Sequence, residues 1–418
     1  MSREARQAKA AAAWNLTNEI VVVGAGDPIG IPGGHDQCFP YKPHHEYRWL
    51  TDCKREGGIV AYDPKSGWVH FEPPVTEMEL VWGPSPAPIG RSIEEFGPWL
   101  AARSGRPLAA LGSYVNAEAD AALSKTLSRI LSHVRRPKDA TEIALMQRAA
   151  VATKAGYEAI RRAIRPGVTE RDLQVEFEYA IQKAGADGPG YGTIVGAGPD
   201  SAVFHLTPGD RALQEGDYLL VDAGAAVDSY VVDVTRTFGC GELSAEKLLL
   251  HAAVVESELA GVALCTLGRE WHDVHHACAV VMAEALVKLG VVTCSAAETA
   301  ESGLSSLFFP HGVGHTVGLG VRDAMAQPPG IERDRMVAGV RVRIDMPLEL
   351  GYAVTVEPGT YFIPALLTDT ARREKWGSMV NWDKAESWLG AGGVRVEDSV
   401  VVTEGEPLNL TSAISYDP

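Results

Sequence analysis

The sequence predicts a mixed α/β (α+β) protein of two domains, a smaller mixed α/β domain over residues 1–135 and a larger one over 136–418. Three observations predict it. The 418 residues exceed what a single core usually organises. The first part of the chain consists of short apolar runs broken by Gly and Pro. Near Arg136 the texture changes to long segments of helical period alternating with strand-like runs.

In the first part, EIVVVGAG, GGIVAYD, WVHFEPP and PLAALGS read as strands and turns. VVVGAGDPIG has the look of a dinucleotide fingerprint. Its glycines are out of register for that motif, however, and Pro28, Pro32, Pro40 and Pro43 forbid the long helix that would hold a pyrophosphate, so turns are expected. Beyond Arg136, Ile143, Met146, Ala150, Thr153, Tyr157, Ile160 and Ile164 alternate spacings of three and four on one helix face. Asp139 and Glu142 stand in capping-box spacing before it, and Pro166-Gly167 ends it. Further helices are expected over 169–183, 245–264 and 272–289, with strands at TIVGAG, AVFHLT, DYLLVDAGA and SYVVDVTRTF, the helices covering a mostly antiparallel sheet.

Composition excludes several function classes. A formal charge of −16 offers no clustered cationic surface for phosphates, so no nucleic-acid partner is expected. The six cysteines contain no C-x-x-C pair and read as reduced thiols rather than a disulfide framework or zinc knuckle. The segment MSREARQAKAAAAW has no apolar signal core, and no run of about 18 apolar residues occurs, so no membrane association and a cytoplasmic location are expected.

The chemistry begins in YLLVDAGAAVDSYVVDVTRTF. Asp222 and Asp233 lie inside apolar, β-branched strands that a turn should bring together. Two buried carboxylates cost several kcal/mol each unless they protonate or share a cation. A turn position for one and a pairing with Arg236 for the other would explain either alone, but poorly both together. FFPHGVGHTVGLG with His311 and His315, YAVTVEPGTYFI with Glu357, and AGGVRVEDSVVV with Glu397 repeat the theme of a ligand-type side chain in or beside a short apolar strand. Asp222, Asp233, His315, Glu357 and Glu397 together could hold two divalent ions, with manganese the expected metal and cobalt or zinc the alternatives. Spacing alone does not select these five from 54 acidic residues and 12 histidines.

The blocks LLVDAGA, DVTRTF, HGVGHTVGLGV, TVEPGTYFI and GGVRVEDSVVVTE resemble, in order and spacing, the five metal-ligand blocks of the pita-bread metallopeptidases, prolidase and aminopeptidase P. The resemblance runs from Arg136 to the C-terminus. CFPYKPHHEYRWLTDCKREGGIVAYD is similar, more loosely, to the family's smaller N-terminal domain. The resemblance implies a C-terminal pita-bread catalytic domain, a hydroxide bridging two metals as nucleophile, and Glu357 as the proton carrier to the leaving nitrogen. It implies His311 beside the proline side of the substrate, His205 in the pocket, and Tyr361 and Arg395 near the metals. It also implies a homodimer acting on Xaa-Pro dipeptides or short peptides. The insertion containing NWDKAESWLGAGG is similar to prolidases, which favours an Xaa-Pro dipeptidase over the alternative Xaa-Pro aminopeptidase. An inactive binding module of the same fold is a third reading, opposed by the retention of all five ligand positions.

The chain departs from the family at GLGVRD, where Arg322 stands in place of a substrate-binding histidine. A guanidinium there would clamp a dipeptide's carboxylate, or else sit on the surface paired with Asp323. His272 and His276, at i, i+4 on an expected helix, read as ordinary helix histidines, since only Asp273 accompanies them and it belongs to another face.

Overall fold

The computed structural model describes residues 1–82 and 89–418. The chain divides into two compact units, Met1–Arg135 with Pro328–Gly330, and Arg136–Gln327 with Ile331–Pro418.

The first unit is built on a five-stranded mixed sheet. Its strand Ile20–Gly24, buried along its whole length, pairs in parallel with the edge strand Leu108–Gly112 and antiparallel with the central strand Ile59–Asp63. Gly67–Glu72 continues the hairpin, and Arg91–Ser92 forms the other edge. Ile20, Val22, Ala61, Phe71, Trp99 and Leu108 make the core. The turn expected after the glycine run is present: the next helix is His45–Thr51.

The helices of this unit went unmarked in the sequence, among them its two longest described ones. Arg3–Trp14 carries six alanines among Arg, Lys, Gln and Glu, all good helix formers, and is capped by Ser2, whose Oγ accepts from the Ala5 amide at 3.3 Å. Its buried Trp14 donates Nε1–H to the Leu127 carbonyl at 3.0 Å, on the other of the two, Ala121–Arg135.

In the second unit, helix Ala140–Ala163 forms with the anticipated capping box. Met146, Ala150, Thr153, Tyr157 and Ile160 are buried, and Ile143 and Ile164 are half-buried at the ends. The polar position on that face has a cause: Thr153 Oγ1 accepts from the Ala225 amide at 2.9 Å. Tyr157 donates to the Val234 carbonyl at 2.7 Å. Both bonds fasten the helix to the hairpin that carries Asp222 and Asp233.

That hairpin pairs Tyr218–Asp222 with Thr235–Gly239, and Ala225–Val227 with Tyr230–Val231. Asp228 and Ser229 close it with φ of 51° and 70°, the two left-handed residues a twist-compatible two-residue turn needs. Helices Glu170–Lys183, Ala245–Ala263 and Trp271–Lys288 also form where the periodicity put them.

Three expectations are corrected. The antiparallel pairing of this unit is distributed over several small sheets rather than one. Ala353–Val356 pairs with Asp398–Val401 and Gly359–Tyr361 with Gly393–Arg395, and the ladder breaks between them at Pro358, which has no N–H to donate. AVFHLT is not a strand: it follows a 3-10 turn, Gly198–Ala202, whose last bond runs from the Val203 amide to the Asp200 carbonyl at 3.0 Å. FFPHGVGHTVGLG is held by single bridges, Thr316 to Val354 and Leu319 to Tyr230, not by a continuous ladder. At Gly314 a Cβ would lie 2.0 Å from the Thr355 carbonyl oxygen, so this segment approaches its neighbour more closely than side-chained residues allow.

Among the described residues, no helix is long and apolar enough to cross a membrane.

Candidate metal centre and substrate cavity

The ligand-type residues converge because each stands at a break in a ladder. Asp222 ends its strand opposite Thr235, Asp233 precedes that partner strand, and Glu357 and Glu397 occupy the matching interruptions beside Pro358. Backbone clamps fix them. Ser399 Oγ accepts from the Asp233 amide at 2.9 Å and donates back to the Asp233 carbonyl at 3.0 Å. Glu397 and Thr235 exchange both backbone bonds.

Asp233, His315 and Glu397 offer ligand atoms that all lie within 4.8 Å of one another. His315 Nε2 is 3.4 Å from Asp233 Oδ2 and 3.8 Å from Glu357 Oε1. Its Nδ1 lies 3.2 Å from the Thr316 carbonyl, which places a proton on Nδ1 and turns Nε2 toward the carboxylates, where a cation would replace the proton that Asp233 favours there. Asp222 Oδ2 accepts from Arg395 Nη2 at 2.6 Å, and Glu397 Oε2 accepts from Thr235 Oγ1 at 2.8 Å. Asp222 and Glu357 line the same cavity.

Whether these residues suit metal ions can be tested on their unused atoms. Asp222 Oδ1, Asp233 Oδ1, Glu357 Oε1 and Glu397 Oε1 are buried and accept no hydrogen bond. Buried carboxylate oxygens are ordinarily satisfied, so four orphans around one cavity call for cations. Electrostatics agree. Burial raises the Asp222 carboxyl, Arg395 opposing and Asp233 adding to the shift, and burial raises Glu397 further, helped by the charges of Asp233, Glu357 and Asp222. Oxygen donors with one imidazole fit hard or borderline divalent ions.

A second layer links this cluster to the cavity wall. Arg395 also donates to Thr235 Oγ1 at 3.0 Å and to the Tyr361 hydroxyl at 2.9 Å. A hydroxyl that accepts from a guanidinium donates elsewhere, and His311 Nε2 lies 3.0 Å away. The His311 proton is therefore on Nδ1, 3.0 Å from the Gly312 carbonyl and 3.8 Å from Glu357 Oε2. Burial and then the Arg395 charge push His311 down to about 3, so it is neutral. Burial pushes the Tyr361 hydroxyl up to about 12 even against Arg395. Phe204 packs edge-on against both rings, at 5.3 Å from His311 and 4.7 Å from Tyr361.

The cavity measures about 790 Å³, and all the sequence-predicted site residues except Tyr361 line it: Asp222, Asp233, His315, Glu357, Glu397, His205, His311, Arg322 and Arg395. Of these, His205 and Arg322 are exposed. The surface pairing of Arg322 with Asp323 is not found. Asp323 is buried and bonded instead to Lys138 Nζ at 2.8 Å and the Leu319 amide at 3.1 Å.

Two contributors were missed in the sequence. Arg343 lines the cavity with Nη1 3.7 Å from Glu357 Oε1, but its segment has no periodicity that would mark it. Thr235, which holds both Glu397 and Arg395, stands two residues from Asp233, and strand alternation could have singled it out. His272 is half-buried and His276 exposed, with His272 Nε2 3.1 Å from Asp273 Oδ1, closer than the helix faces suggested.

Residues 144–404 match the metallopeptidase family M24. The chain is 30% identical over 434 residues to an Xaa-Pro dipeptidase of Stenotrophomonas maltophilia (strain R551-3), spanning 96% of this chain and 95% of that one. It is 28% identical to a probable Xaa-Pro aminopeptidase PEPP of Paracoccidioides brasiliensis (strain Pb18), over 90% of this chain and 86% of the relative. Among solved structures, the aminopeptidase PepP of Pseudomonas aeruginosa superposes with a TM-score of 0.77 at 25% identity, covering 99% of this chain and 96% of that one. An Escherichia coli aminopeptidase P variant in complex with substrate shares the fold with a TM-score of 0.81 at 21% identity, covering 100% and 97%.

The chain belongs to metallopeptidase family M24. Its larger unit has the pita-bread fold of the aminopeptidase P structures, and the family implies divalent metal ions.

Proposed function

We propose that this protein is an Xaa-Pro dipeptidase that uses two divalent ions, manganese before cobalt or zinc, held by Asp222, Asp233, His315, Glu357 and Glu397. The single observation that carries the reading is the set of four orphaned carboxylate oxygens around a cavity that also exposes two arginines, Arg322 and Arg343. When bound, the ions would supply Lewis-acid activation of water and of the scissile carbonyl.

The chain's own residues do the rest. Glu357 takes the proton of the attacking water and delivers it to the proline nitrogen, which must leave as an amine. Arg395 holds Asp222 by one oxygen and leaves the other for metal, so its charge orients a ligand without competing for the same atom. Arg395, Tyr361 and His311 form a continuous donor chain that presents a neutral imidazole beside Glu357. Phe204 and Ile194 give the cavity apolar wall, and His205 a polar rim. A dedicated pocket suits the substrate class, because an X-Pro bond is a tertiary amide without the N–H that general peptidases hold.

The dipeptidase reading rests on the arginines rather than on the insertion. Trp388 of that segment stacks on Phe362 at 4.8 Å in the core, away from the cavity lining. Arg322 and Arg343 offer guanidinium forks for a carboxylate just past the scissile bond. The aminopeptidase P reading is favoured instead by the relatives of that name. Hydrolysis of Ala-Pro against Ala-Pro-Ala by the manganese-loaded protein separates them: preference for the dipeptide supports the proposal, and preference for the tripeptide overturns it. The homodimer rests on family resemblance, and light scattering at micromolar concentration tests it.

A further inference from the structure

We infer that the N-terminal unit carries a separate thiolate site for one zinc-class ion, built from Cys53, His70 and Glu72 and braced by Tyr47. The ligand atoms of these three residues lie within 4.8 Å of one another. His70 and Glu72 stand at i, i+2 on strand Gly67–Glu72, which puts both on one face of the sheet. Cys53 reaches the same point because helix His45–Thr51 ends in a left-handed Asp52, φ 57°, and Thr51 Oγ1 accepts from the Cys53 amide at 3.1 Å.

The imidazole is aimed. Tyr47 Oη lies 2.7 Å from His70 Nε2, which turns Nδ1 toward Glu72 Oε1 at 3.0 Å. Tyr47 can stand there only because residue 58 is glycine: a Cβ would lie 2.1 Å from its hydroxyl. Yet His70 Nδ1 and Glu72 Oε1, both buried, are not hydrogen-bonded to each other, and the Cys53 thiol faces the Glu72 carboxylate and the Tyr47 hydroxyl. The Glu72 side chain is 2% exposed, so this unpartnered oxygen points inward at the cluster. Two lone-pair atoms that are close but misaligned for a shared proton are arranged as two ligands of a third atom. Around tetrahedral zinc, with bonds of about 2.0 to 2.3 Å, neighbouring ligand atoms are separated by roughly 3.3 to 3.6 Å.

Charge and chemistry suit the same ion. A thiolate and a carboxylate with a neutral imidazole balance a divalent cation; burial raises the Cys53 thiol, so it deprotonates only as the ion binds, and the Arg55 amide points at Cys53 Sγ from 3.4 Å. Burial pushes the His70 imidazole down to about 4, keeping its lone pair free. Sulfur distinguishes this site from the oxygen-rich catalytic cluster, which contains no cysteine, and selects zinc over manganese. The comparable grouping of Glu270, His272 and Asp345 differs in the decisive respect: Arg335 bonds both acids and Arg333 bonds Glu270, so guanidinium charge already stands where a cation would. A metal at Cys53, His70 and Glu72 would tie the end of helix His45–Thr51 to the sheet.

The test uses the full chain and is read independently of hydrolysis. After saturation with Zn2+ and removal of excess, the wild type should retain one ion per chain more than Cys53→Ser or Glu72→Gln. Loading with Co2+ should give a thiolate-to-cobalt charge-transfer band that Cys53→Ser loses and Cys38→Ser keeps, with manganese-dependent hydrolysis the same in all of them. In the unmutated protein, Zn2+ should protect Cys53 from alkylation while the exposed Cys38 reacts freely, which keeps the test open if a variant does not fold. Equal zinc content in wild type and variants, or no thiolate band and no protection of Cys53, overturns the site.

Discussion

Glu397 and Asp398 are neighbours in sequence, both buried, and their surroundings are opposite. Asp398 accepts from Arg236 Nη2 at 2.8 Å, Thr411 Oγ1 at 2.6 Å and Asn409 Nδ2 at 2.8 Å, and from the Tyr416 hydroxyl. Burial would raise its carboxyl, but the Arg236 charge and these bonds hold it below the ordinary range. Glu397 accepts from Thr235 alone, keeps Oε1 unpartnered, and is raised. The break before strand Asp398–Val401 therefore leaves one carboxylate in an unfinished site while the strand's first residue turns to a finished ion pair. A buried acid with every oxygen engaged is structural, and several open carboxylate oxygens around one cavity call for a cation.

The largest expected effect breaks this contrast from both sides. Glu397→Ala and Asp233→Ala should abolish bound catalytic metal and dipeptide hydrolysis together, while the thermal transition of the chelated protein holds or rises, since each removes a buried carboxyl with an unpartnered oxygen. Asp398→Ala should do the reverse, costing about 3 to 5 kcal/mol of stability by stranding Arg236. Metal analysis beside denaturant unfolding reads both. Loss of metal with Asp398→Ala at unchanged stability would erase the distinction.

The pH dependence sharpens it. Asp222 and Glu397 are raised in the fold relative to the unfolded chain, so the chelated protein binds more protons folded than unfolded above about pH 4. Stability from these groups is present at low pH and lost as pH rises. Melting of chelated protein should fall between about pH 5 and pH 8, with Glu397→Gln flattening the slope and metal suppressing it. A chelated wild type whose melting rises over that window as steeply as the metal-loaded form counts against the raised carboxyls.

Smaller effects belong to the second layer. Tyr361→Phe removes the hydroxyl that joins Arg395 to His311, and should lower kcat by roughly tenfold, the worth of about 1.4 kcal/mol, with metal content and KM near wild type. Arg343→Ala and Arg322→Ala should each lower the Ala-Pro to Ala-Pro-Ala preference, by roughly ten- to hundredfold if the guanidinium pairs the carboxylate. An unchanged ratio in both would remove the carboxylate clamp.

The long helices and the Asp222–Asp233 hairpin of the larger unit were legible because each carries its own punctuation, as in the Asp139 and Glu142 capping box or the turn at Asp228 and Ser229. The candidate ligands were legible through expensive carboxylates in apolar strands, but selecting five of them needed the family's ordered blocks. What stayed hidden depends on partners distant in sequence. Nothing local marks Arg343 as facing Glu357, or Lys138 rather than Arg322 as the partner of Asp323. The apolar residues around HGVGH point to a short strand in or beside it, whereas its glycines let it lie against Thr355 without a ladder.

The most direct measurement is titration of Mn2+ into the fully chelated protein, following bound ions per chain and Ala-Pro hydrolysis together. Hydrolysis should be absent without metal and reach its plateau as two catalytic ions bind, with Ala-Pro cleaved in preference to Ala-Pro-Ala. Full hydrolysis by the metal-free protein would contradict the account.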